Sequence, residues 1–426
     1  MIYHLVRPVA RYVLKYYYRN IDLTGLENIP KDAAVVLAAN HPTAFIEPCI
    51  LACFQPRTLW FLARGNLFKN AFYNSLLAAV HILPVFRLED GGFGKLKNNF
   101  GTFEACYKAL SQGKAIMNLA EGRCIHEKAL RPLRKGTARL ALGAMQRDAT
   151  LKEVYIVPVG CNFTHADRVR DQVMIRFGEP ILASAFMDEF RGNEAKAIKN
   201  LTSHLRARLS PLIVQFPDRQ RAAIGEARLE LDRARHAAHQ VYGITHDGKQ
   251  LDRELEIAAN TPAEDETITR FFNRLDRQGA CVGAVPSSGK ASSGSQLSPG
   301  EGAIAGTKKV VRPSLVWLRS LLAVMLQLPQ LPLWLLAEFI GSTQPKHIEF
   351  YSPVRFAVVT GGTFLLFPLL LIFLPWPLKI WLLIAIFTVN WSVRQWENHR
   401  NWYRRRKVER MVDAERKQIF AELKDL

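Results

Sequence analysis

The sequence has few cysteines, and it lacks several patterns that would assign it to a familiar class. Its six cysteines are scattered, without the paired short spacings of a zinc site or of a small secreted disulfide scaffold. The first 20 residues carry charges throughout and lack the unbroken apolar stretch of a cleavable signal peptide. The glycine-rich GGFG at 91–94 lacks the Lys-Ser/Thr pair of a phosphate-binding P-loop. We therefore expect free thiols, no metal site, and a catalytic part that stays in the cytoplasm.

Charge of the negative sign is also in short supply. The 426 residues carry a formal net charge of +19, which implies an anionic partner. Nucleic acid, anionic lipid headgroups and phosphorylated substrates all qualify. Long uncharged stretches in the last third of the chain favour a membrane surface, because a nucleic-acid-binding protein does not need them. We expect membrane lipid as a partner and no nucleic acid.

Composition divides the chain into six segments. In the first of them Arg7, Arg11, Lys15 and Arg19 recur every four residues, which places them on one side of a helix, and apolar residues populate another side. This pattern is typical of a helix at a membrane interface; a helix packed on its own domain is the alternative. The predicted segments are an interfacial amphipathic helix (1–20), a domain of alternating apolar runs and helical patterns (21–215), a charged helical region (216–279), a flexible Gly/Ser-rich linker (280–309), membrane-embedded segments (310–393) and a basic cytoplasmic tail (394–426).

Short apolar runs alternate with helical patterns through the second segment. The runs lie at 33–40, 58–64, 81–87, 115–120 and 154–160, with glycines between them. Such alternation predicts an α/β domain with a largely parallel buried sheet flanked by helices. We expect the domain to close near Ile213, after a helix that begins around Glu194.

The last third of the chain contains three uncharged runs. Phe356 to Leu374 is long enough to span a bilayer, which needs about 20 residues. Ile380 to Val393 is shorter, but the turn residues Pro375, Trp376 and Pro377 before it predict a transmembrane helical hairpin. The first run, Ser320 to Ala337, is as consistent with a re-entrant or surface-lying segment as with a span. The basic residues after the hairpin place the C-terminus, and with it the catalytic domain, on the cytoplasmic face.

One histidine stands where α/β sheets keep their sites. His41 directly follows the apolar run at 33–40, and the carboxyl end of a buried strand is the usual position of a site in an open α/β sheet. Glu47 follows shortly, and a carboxylate can fix the tautomer of a histidine and raise its basicity. A histidine in such a place can also be a plain surface or hydrogen-bonding residue.

The passage AANHPTAFIEP around His41 resembles the first motif of the glycerolipid acyltransferase superfamily, the His-x4-Asp enzymes. Three further motifs follow in the family's order: HILPVFR, LAEGRCIHEKALRPLRKG and YIVPVG. The resemblance covers roughly residues 1–215, and the ordered set is much more specific than any single motif. It implies a mixed, largely parallel sheet of the glycerol-3-phosphate acyltransferase type.

The resemblance also assigns roles to residues. It implies a catalytic His41 with Glu47 as its acid, and a substrate-binding set of Arg87, Glu121, Gly122 and Arg123. The acid is Glu where the family has Asp, and it lies one residue further on; this His-Pro-x-x-Phe-x-acid form is similar to a subgroup that includes fungal-type glycerol-3-phosphate acyltransferases. In the third motif Ala120 replaces Pro, and Arg123 stands where Thr is commoner. For Glu121 the sequence leaves open whether it holds an arginine or the acceptor hydroxyl.

Acyl transfer from a thioester to an alcohol needs a base, and an imidazole with a pKa near neutrality can serve without a Ser or Cys nucleophile. Arginine matches phosphate in a bidentate manner, and the remaining cations near Arg123 are Arg131, Arg134 and Lys135. We expect no cofactor, with acyl-CoA or acyl carrier protein as the donor. The expected phosphate-bearing acceptor is 1-acyl-glycerol-3-phosphate first and glycerol-3-phosphate second. A non-catalytic scaffold that binds anionic lipid is the rival interpretation.

Overall fold

A computed structural model describes residues 2–68, 70–85, 99–236, 241–277 and 313–409. The chain divides into two compact units. The first comprises Met1–Val214, Gly243–Leu251 and Leu336–Phe367, and the second comprises Gln215–Tyr242, Asp252–Leu335 and Pro368–Leu426. Arg87, the GGFG loop and the predicted linker at 280–309 lie outside the described residues.

The described residues of the first unit contain nine strands, and these form one sheet. They are β1 (Asn20–Thr24), β2 (Ala34–Ala39), β3 (Leu59–Arg64), β4 (Ile82–Val85), β5 (Ala115–Leu119), β6 (Val154–Phe163), β7 (Gln172–Phe177), β8 (Ile181–Leu182) and β9 (Gly243–Thr245). All five predicted apolar runs contain a strand. Four strands were not predicted, because they are short or carry polar residues along their length: β1, β7, β8 and β9.

Fourteen helices accompany these strands among the described residues. They are α1 (Ile2–Tyr17), α2 (Ile46–Phe54), α3 (Ala71–Ala79), α4 (Asn99–Ser111), α5 (Gly136–Arg147), α6 (Met187–Gly192), α7 (Glu194–Leu209), α8 (Arg219–Arg235), α9 (Lys249–Ala259), α10 (Glu266–Arg277), α11 (Pro313–Gln327), α12 (Leu331–Thr343), α13 (Tyr351–Phe373) and α14 (Trp376–Glu409). Helix α7 begins at the predicted residue, and Asn193 caps it by accepting the Lys196 N–H at 3.0 Å.

The sheet is mixed and largely parallel, as predicted. Its strand order is β4-β3-β5-β2-β6-β7-β1-β9, with β8 beside β6. Strand β6 runs antiparallel to β7 and to β8, and the other pairs are parallel. The sheet is therefore two parallel blocks joined by one antiparallel step. The apolar run that precedes His41 forms β2, between β5 and β6.

Strand β2 lies inside the core of the first unit. Every residue from Ala34 to Ala39 is buried, because parallel strands carry helices on both faces. One face packs against apolar residues of α4, α5 and α7, including Leu110, Leu140 and Leu201. The position of the first residue after β2 is consequently fixed by the packing of the whole domain.

Helix α1 packs into the first unit along both of its halves. Val13, Leu14 and Tyr17 are fully buried, and the Arg7 guanidinium donates a hydrogen bond to the Gln55 carbonyl at 2.8 Å. Leu5 is 55% exposed. The alternative of a helix packed on its own domain therefore describes one side of α1, and contact of α1 with a membrane stays a prediction.

The predicted charged helical region contains more than exposed helices. Strand β9 extends the sheet at its β1 edge, so the sheet continues beyond residue 215. In the second unit, the Arg233 guanidinium donates two hydrogen bonds to the fully buried Glu254 carboxylate, each at 2.7 Å. Such a pair needs a folded helical unit around it, because a buried charge without its partner is costly.

Three helical stretches in the last third of the chain are long and apolar enough to cross a membrane. By length and composition they are Ser314–Thr343, Ile348–Phe373 and Trp376–Arg404. The second and third match the predicted hairpin, and the first adds a candidate where the sequence left the choice open. Large apolar side chains point outward on them, with Phe373 79% and Phe387 84% exposed. Such surfaces suit a lipid environment.

Candidate active site

His41 lies just beyond the carboxyl end of β2, on the loop that leads into α2. It is 7% exposed, and its ring Nδ1 lies 3.6 Å from Oε1 of Glu47. The two predicted catalytic side chains are therefore neighbours. Glu47 sits in the first turn of α2, where the positive end of the helix dipole favours a carboxylate. The longer side chain of Glu offsets the additional residue in the motif.

Glu47 is fully buried and is held by Thr43. Its Oε1 accepts the Thr43 backbone N–H at 2.5 Å, and its Oε2 accepts the Thr43 hydroxyl at 2.7 Å. The distance to the imidazole is slightly longer than a hydrogen bond, and the buried His41 Nδ1 has no hydrogen-bond partner among the residues that the structure describes. A movement of a few tenths of an ångström would close that gap. The role of Glu47 as the orienting acid remains a prediction, which this geometry favours.

Asn40 fixes the strand end from which His41 projects. Its amide donates to the Cys161 carbonyl at 2.9 Å and accepts the Cys161 N–H at 2.7 Å. Cys161 belongs to β6, the strand that pairs with β2. The Asn40 side chain therefore makes two hydrogen bonds to β6 directly after the backbone pairing of β2 ends. Because both atoms of the amide are used, the backbone at residue 40 has one orientation.

The loop of the third motif holds the backbone of His41 on both sides. Glu121 Oε2 accepts the His41 N–H at 3.0 Å, while the His41 carbonyl accepts the Ile125 N–H at 3.2 Å. The other oxygen of Glu121 accepts the Arg131 N–H at 2.9 Å. Glu121 is 7% exposed; this desolvation raises the pKa of its carboxyl group, although the two N–H donors act in the opposite direction.

These hydrogen bonds give Glu121 a structural role that was not predicted from the sequence. The sequence left open whether Glu121 holds an arginine or the acceptor hydroxyl. In the structure, its two oxygens accept the backbone N–H groups of His41 and Arg131. The structure shows Glu121 joining the first and third motifs. A direct contact between Glu121 and a substrate stays a prediction.

Gly122 has a backbone that other residues rarely adopt. Its φ is +73°, in the left-handed region, and a Cβ there would come within 2.9 Å of Cγ of Arg134. The glycine thus permits both the turn after β5 and the close approach of the arginine stem. The predicted substrate contact at Gly122 remains untested, but its place beside Arg134 brings it to the cationic part of the site.

Three arginines line an open cavity of about 390 Å³ together with Glu121, Pro132 and Leu133. They are Arg123, Arg131 and Arg134, all members of the predicted cationic set. Arg131 also pairs with Glu127, at 2.9 Å between Nε and Oε1. Three guanidinium groups around one cavity suit a phosphate-bearing ligand. Within the described ranges, His, Cys, Asp and Glu side chains form no group of three that could hold a metal ion.

Helix α7 braces the same loop from outside. Arg206 donates to the Arg131 carbonyl at 2.6 Å and to the Leu130 carbonyl at 3.0 Å, and Leu130 packs with Leu209 and Ile213. The fourth motif lies in β6, where Pro158 pairs in register with Ala38 of β2. The first, third and fourth motifs therefore meet at one end of the sheet. Arg87, which the second motif supplies, lies outside the described residues.

Sequence reasoning missed Asn40 and Thr43, although both stand within the first motif. A polar residue directly after a fully apolar strand is the available signal for Asn40, because a buried amide needs partners. Thr43 four residues before Glu47 could have been recognised as a partner for that carboxylate near the start of a helix.

Comparison with known proteins finds a family match over the domain that carries the site. Residues 20–162 match the family described as Acyltransferase. In this match and in its ordered motifs, the domain is similar to the glycerolipid acyltransferase superfamily. The match contains His41, Glu47, Glu121 and the arginines of the cavity.

Three individual proteins are similar to parts of the chain. Glycerol-3-phosphate O-acyltransferase 2 of Saccharomyces cerevisiae is 29% identical over 113 residues, covering 25% of this chain and 15% of that protein. An uncharacterized acyltransferase of Schizosaccharomyces pombe is 22% identical over 172 residues, covering 39% of this chain and 24% of that protein. The chain thus aligns with less than a quarter of the length of either curated relative. The crystal structure of the 1-acyl-sn-glycerophosphate acyltransferase PlsC from Thermotoga maritima gives a TM-score of 0.33 at 20% identity, covering 48% of this chain and 80% of that one.

Proposed function

We propose that this protein is an O-acyltransferase that moves a fatty acyl group from acyl-CoA or acyl carrier protein to the hydroxyl of 1-acyl-glycerol-3-phosphate, making phosphatidate. The observation that supports the proposal best is the pair of backbone hydrogen bonds that Glu121 accepts. One carboxylate links the backbone of His41, the candidate base, to the backbone of Arg131 on the wall of an arginine-lined cavity. A base and a phosphate-binding surface are what this reaction requires side by side.

The chemistry follows from the two ring nitrogens of His41. Because Nδ1 faces Glu47, Nε2 is the nitrogen that takes the acceptor's hydroxyl proton. The oxygen attacks the thioester carbonyl carbon, the carbon–sulfur bond breaks, and the thiol leaves with a proton returned by the imidazolium. Glu47 stabilises the imidazolium while it exists. The cavity arginines hold the acceptor phosphate and thereby place its hydroxyl.

The choice of acceptor rests on the membrane segments. Three candidate spans in the same chain favour a lipid acceptor that already resides in the bilayer. Glycerol-3-phosphate, the substrate in the name of the Saccharomyces cerevisiae relative, is the alternative. We take the hairpin of the second and third candidate spans as the two crossings. The positive-inside rule then favours the cytoplasmic face for the basic residues after the hairpin and for the catalytic domain before it.

The test uses the purified full chain in phospholipid vesicles with labelled acyl-CoA. Each acceptor is supplied in turn, and the product is identified by mass spectrometry, with His41→Ala as the control. We expect phosphatidate from the wild type and a loss of about 10³-fold or more in the variant, since general-base catalysis contributes about 10²- to 10⁴-fold. Equal rates for both proteins would leave only a lipid-binding scaffold. Activity on glycerol-3-phosphate alone would reassign the acceptor.

A further inference from the structure

The loop that carries His41 and leads to Glu47 (residues 41–45, called the catalytic loop) is hydrogen-bonded to the start of a candidate membrane helix. A short 3-10 turn at Ile348–Phe350 precedes α13, and the carbonyl of Glu349 accepts the backbone N–H of Ala44 at 3.2 Å. Ala44 lies between His41 and Glu47 in the chain. The part of α13 up to Phe367 and the catalytic loop belong to the same compact unit. A residue of the proposed base and acid loop is thus bonded to the segment that enters the candidate span Ile348–Phe373.

A buried tyrosine of α1 holds the same helix end. The Tyr17 hydroxyl lies 2.7 Å from the Ser352 carbonyl oxygen, to which it donates, and 3.0 Å from the Ser352 Oγ. Both residues are fully buried, and the Tyr17 ring meets the edge of Phe356 at 5.6 Å between centroids. Burial of the phenol raises the pKa of Tyr17, so this hydroxyl stays protonated and able to donate at neutral pH.

Arg355, one turn further along α13, completes the attachment. Its guanidinium donates to the Asp167 carbonyl in the β6–β7 connection at 3.4 Å and to Glu338 of α12 at 2.7 Å. Gly341 of α12 packs against the Arg355 stem, and a Cβ at that position would overlap it. The first two turns of α13 therefore contact α1, α12 and the sheet connection, and the 3-10 turn just before them contacts the catalytic loop.

Distances along the chain limit how far His41 lies from the apolar segment. His41 is three residues from Ala44, which is at most about 10 Å of extended chain. Glu349 is seven residues before Phe356, where the uncharged run begins, and at 1.5 Å per residue this is also about 10 Å. With the hydrogen-bonded step between Ala44 and Glu349 added, His41 lies within about 25 Å of Phe356.

We propose that Tyr17 and Ser352 are positioning residues for the catalytic reaction. They fix the first turn of α13, which directly follows the 3-10 turn whose Glu349 carbonyl holds Ala44, so the start of the membrane helix sets the orientation of the His41 loop. This inference rests on the proposed function. Neither residue touches the substrate, so loosening the attachment misplaces the base without removing it, and displacements near 1 Å cost about 10²-fold in rate.

The test compares Tyr17→Phe with Tyr155→Phe in the full chain reconstituted in phospholipid vesicles. The first variant keeps the ring against Phe356 and removes both hydrogen bonds to Ser352, and the second removes a hydroxyl from strand β6. We expect Tyr17→Phe to lower kcat at least tenfold while the KM for acyl-CoA stays within twofold, and Tyr155→Phe to leave both unchanged. Ser352→Ala should lower kcat less, because the carbonyl acceptor remains, and Ser352→Thr should restore it.

A second measurement does not depend on the reaction. Hydrogen exchange of the peptide containing residues 41–47 should become severalfold faster in Tyr17→Phe and stay unchanged in Tyr155→Phe. Unchanged kcat and unchanged exchange in Tyr17→Phe would overturn the positioning role. If the wild type made no acylated lipid but exchange still accelerated, the proposed function would fail while the structural coupling stood. A parallel loss in both tyrosine variants would show a general stability effect and refute the proposal.

Discussion

Glu121 offers a sharp test of how the site is assembled. In Glu121→Gln the side chain keeps its shape, but one of its two acceptor oxygens becomes an NH2 group that faces a backbone N–H. The wild-type carboxylate accepts the N–H groups of His41 and Arg131 at 3.0 and 2.9 Å. One of these two donors therefore loses its partner in the variant.

The magnitude follows from the burial of the donor. A buried donor left without a partner costs about 1 to 3 kcal/mol, which corresponds to a factor of about 5 to 150 in local opening. Hydrogen exchange at residue 41 or 131 should accelerate by that factor, and kcat should fall because the His41 backbone is no longer held. Exchange measured by mass spectrometry on peptides covering both positions gives the result.

Glu127→Gln is the matched control on the same loop. Glu127 pairs with the Arg131 side chain, but the two side chains are 44% and 35% exposed, and a pair at such a surface contributes about 0 to 1 kcal/mol. We expect little change in exchange and in rate. If the two variants behaved alike, or if Glu121→Gln left both backbone amides protected from exchange, the proposed role of the Glu121 hydrogen bonds would be refuted.

Two further predictions concern groups that hold the domain around the site. Asn40→Asp should lower the thermal midpoint at neutral pH, because a buried carboxylate would face the Cys161 carbonyl at a cost of about 3 kcal/mol or more. The loss of thermal stability should shrink at low pH, because the protonated carboxyl group can again donate a hydrogen bond. Asp171→Asn should cost about 1 to 3 kcal/mol at neutral pH. Burial raises the pKa of Asp171. The hydrogen bond and charge of His165, the hydrogen bond from Thr164 and the charge of Arg19 lower that pKa by more, so the pKa lies below its ordinary value. A carboxyl group whose pKa is lowered by folding contributes stability above its unfolded pKa, near 4, and loses it as pH falls through the folded value.

Each of these has its own contrary result. For Asn40→Asp, a thermal midpoint that stays low at every pH would mean that shape, and not the missing donor, causes the defect. For Asp171→Asn, the matched control is Asp167→Asn in the same connection. The difference between Asp171→Asn and the wild type should close below about pH 4; a constant difference, or an equal effect of the control, would contradict the ion-pair explanation.

Local patterns predicted the parts of this protein that local forces determine. Five strands, the helix start at Glu194 and the apolar C-terminal helices follow from runs and periods that a window of a few residues contains. The placement of His41 also follows, because a residue after a buried strand must lie at the edge of the sheet. The strands that were missed are short or partly polar, and β9 has only three residues, so their pairing depends on partners far away in the sequence.

Patterns along the chain were enough to predict the fold class, the membrane-like C-terminal segments, and the motif that brings His41 and Glu47 close together. The contacts that those residues make depend on tertiary packing. Asn40 meets Cys161, Glu121 meets the backbone of His41, and Tyr17 meets Ser352 at separations of 121, 80 and 335 residues. Hydrogen bonds between distant residues depend on the packing of every element between them, and no local pattern records that packing.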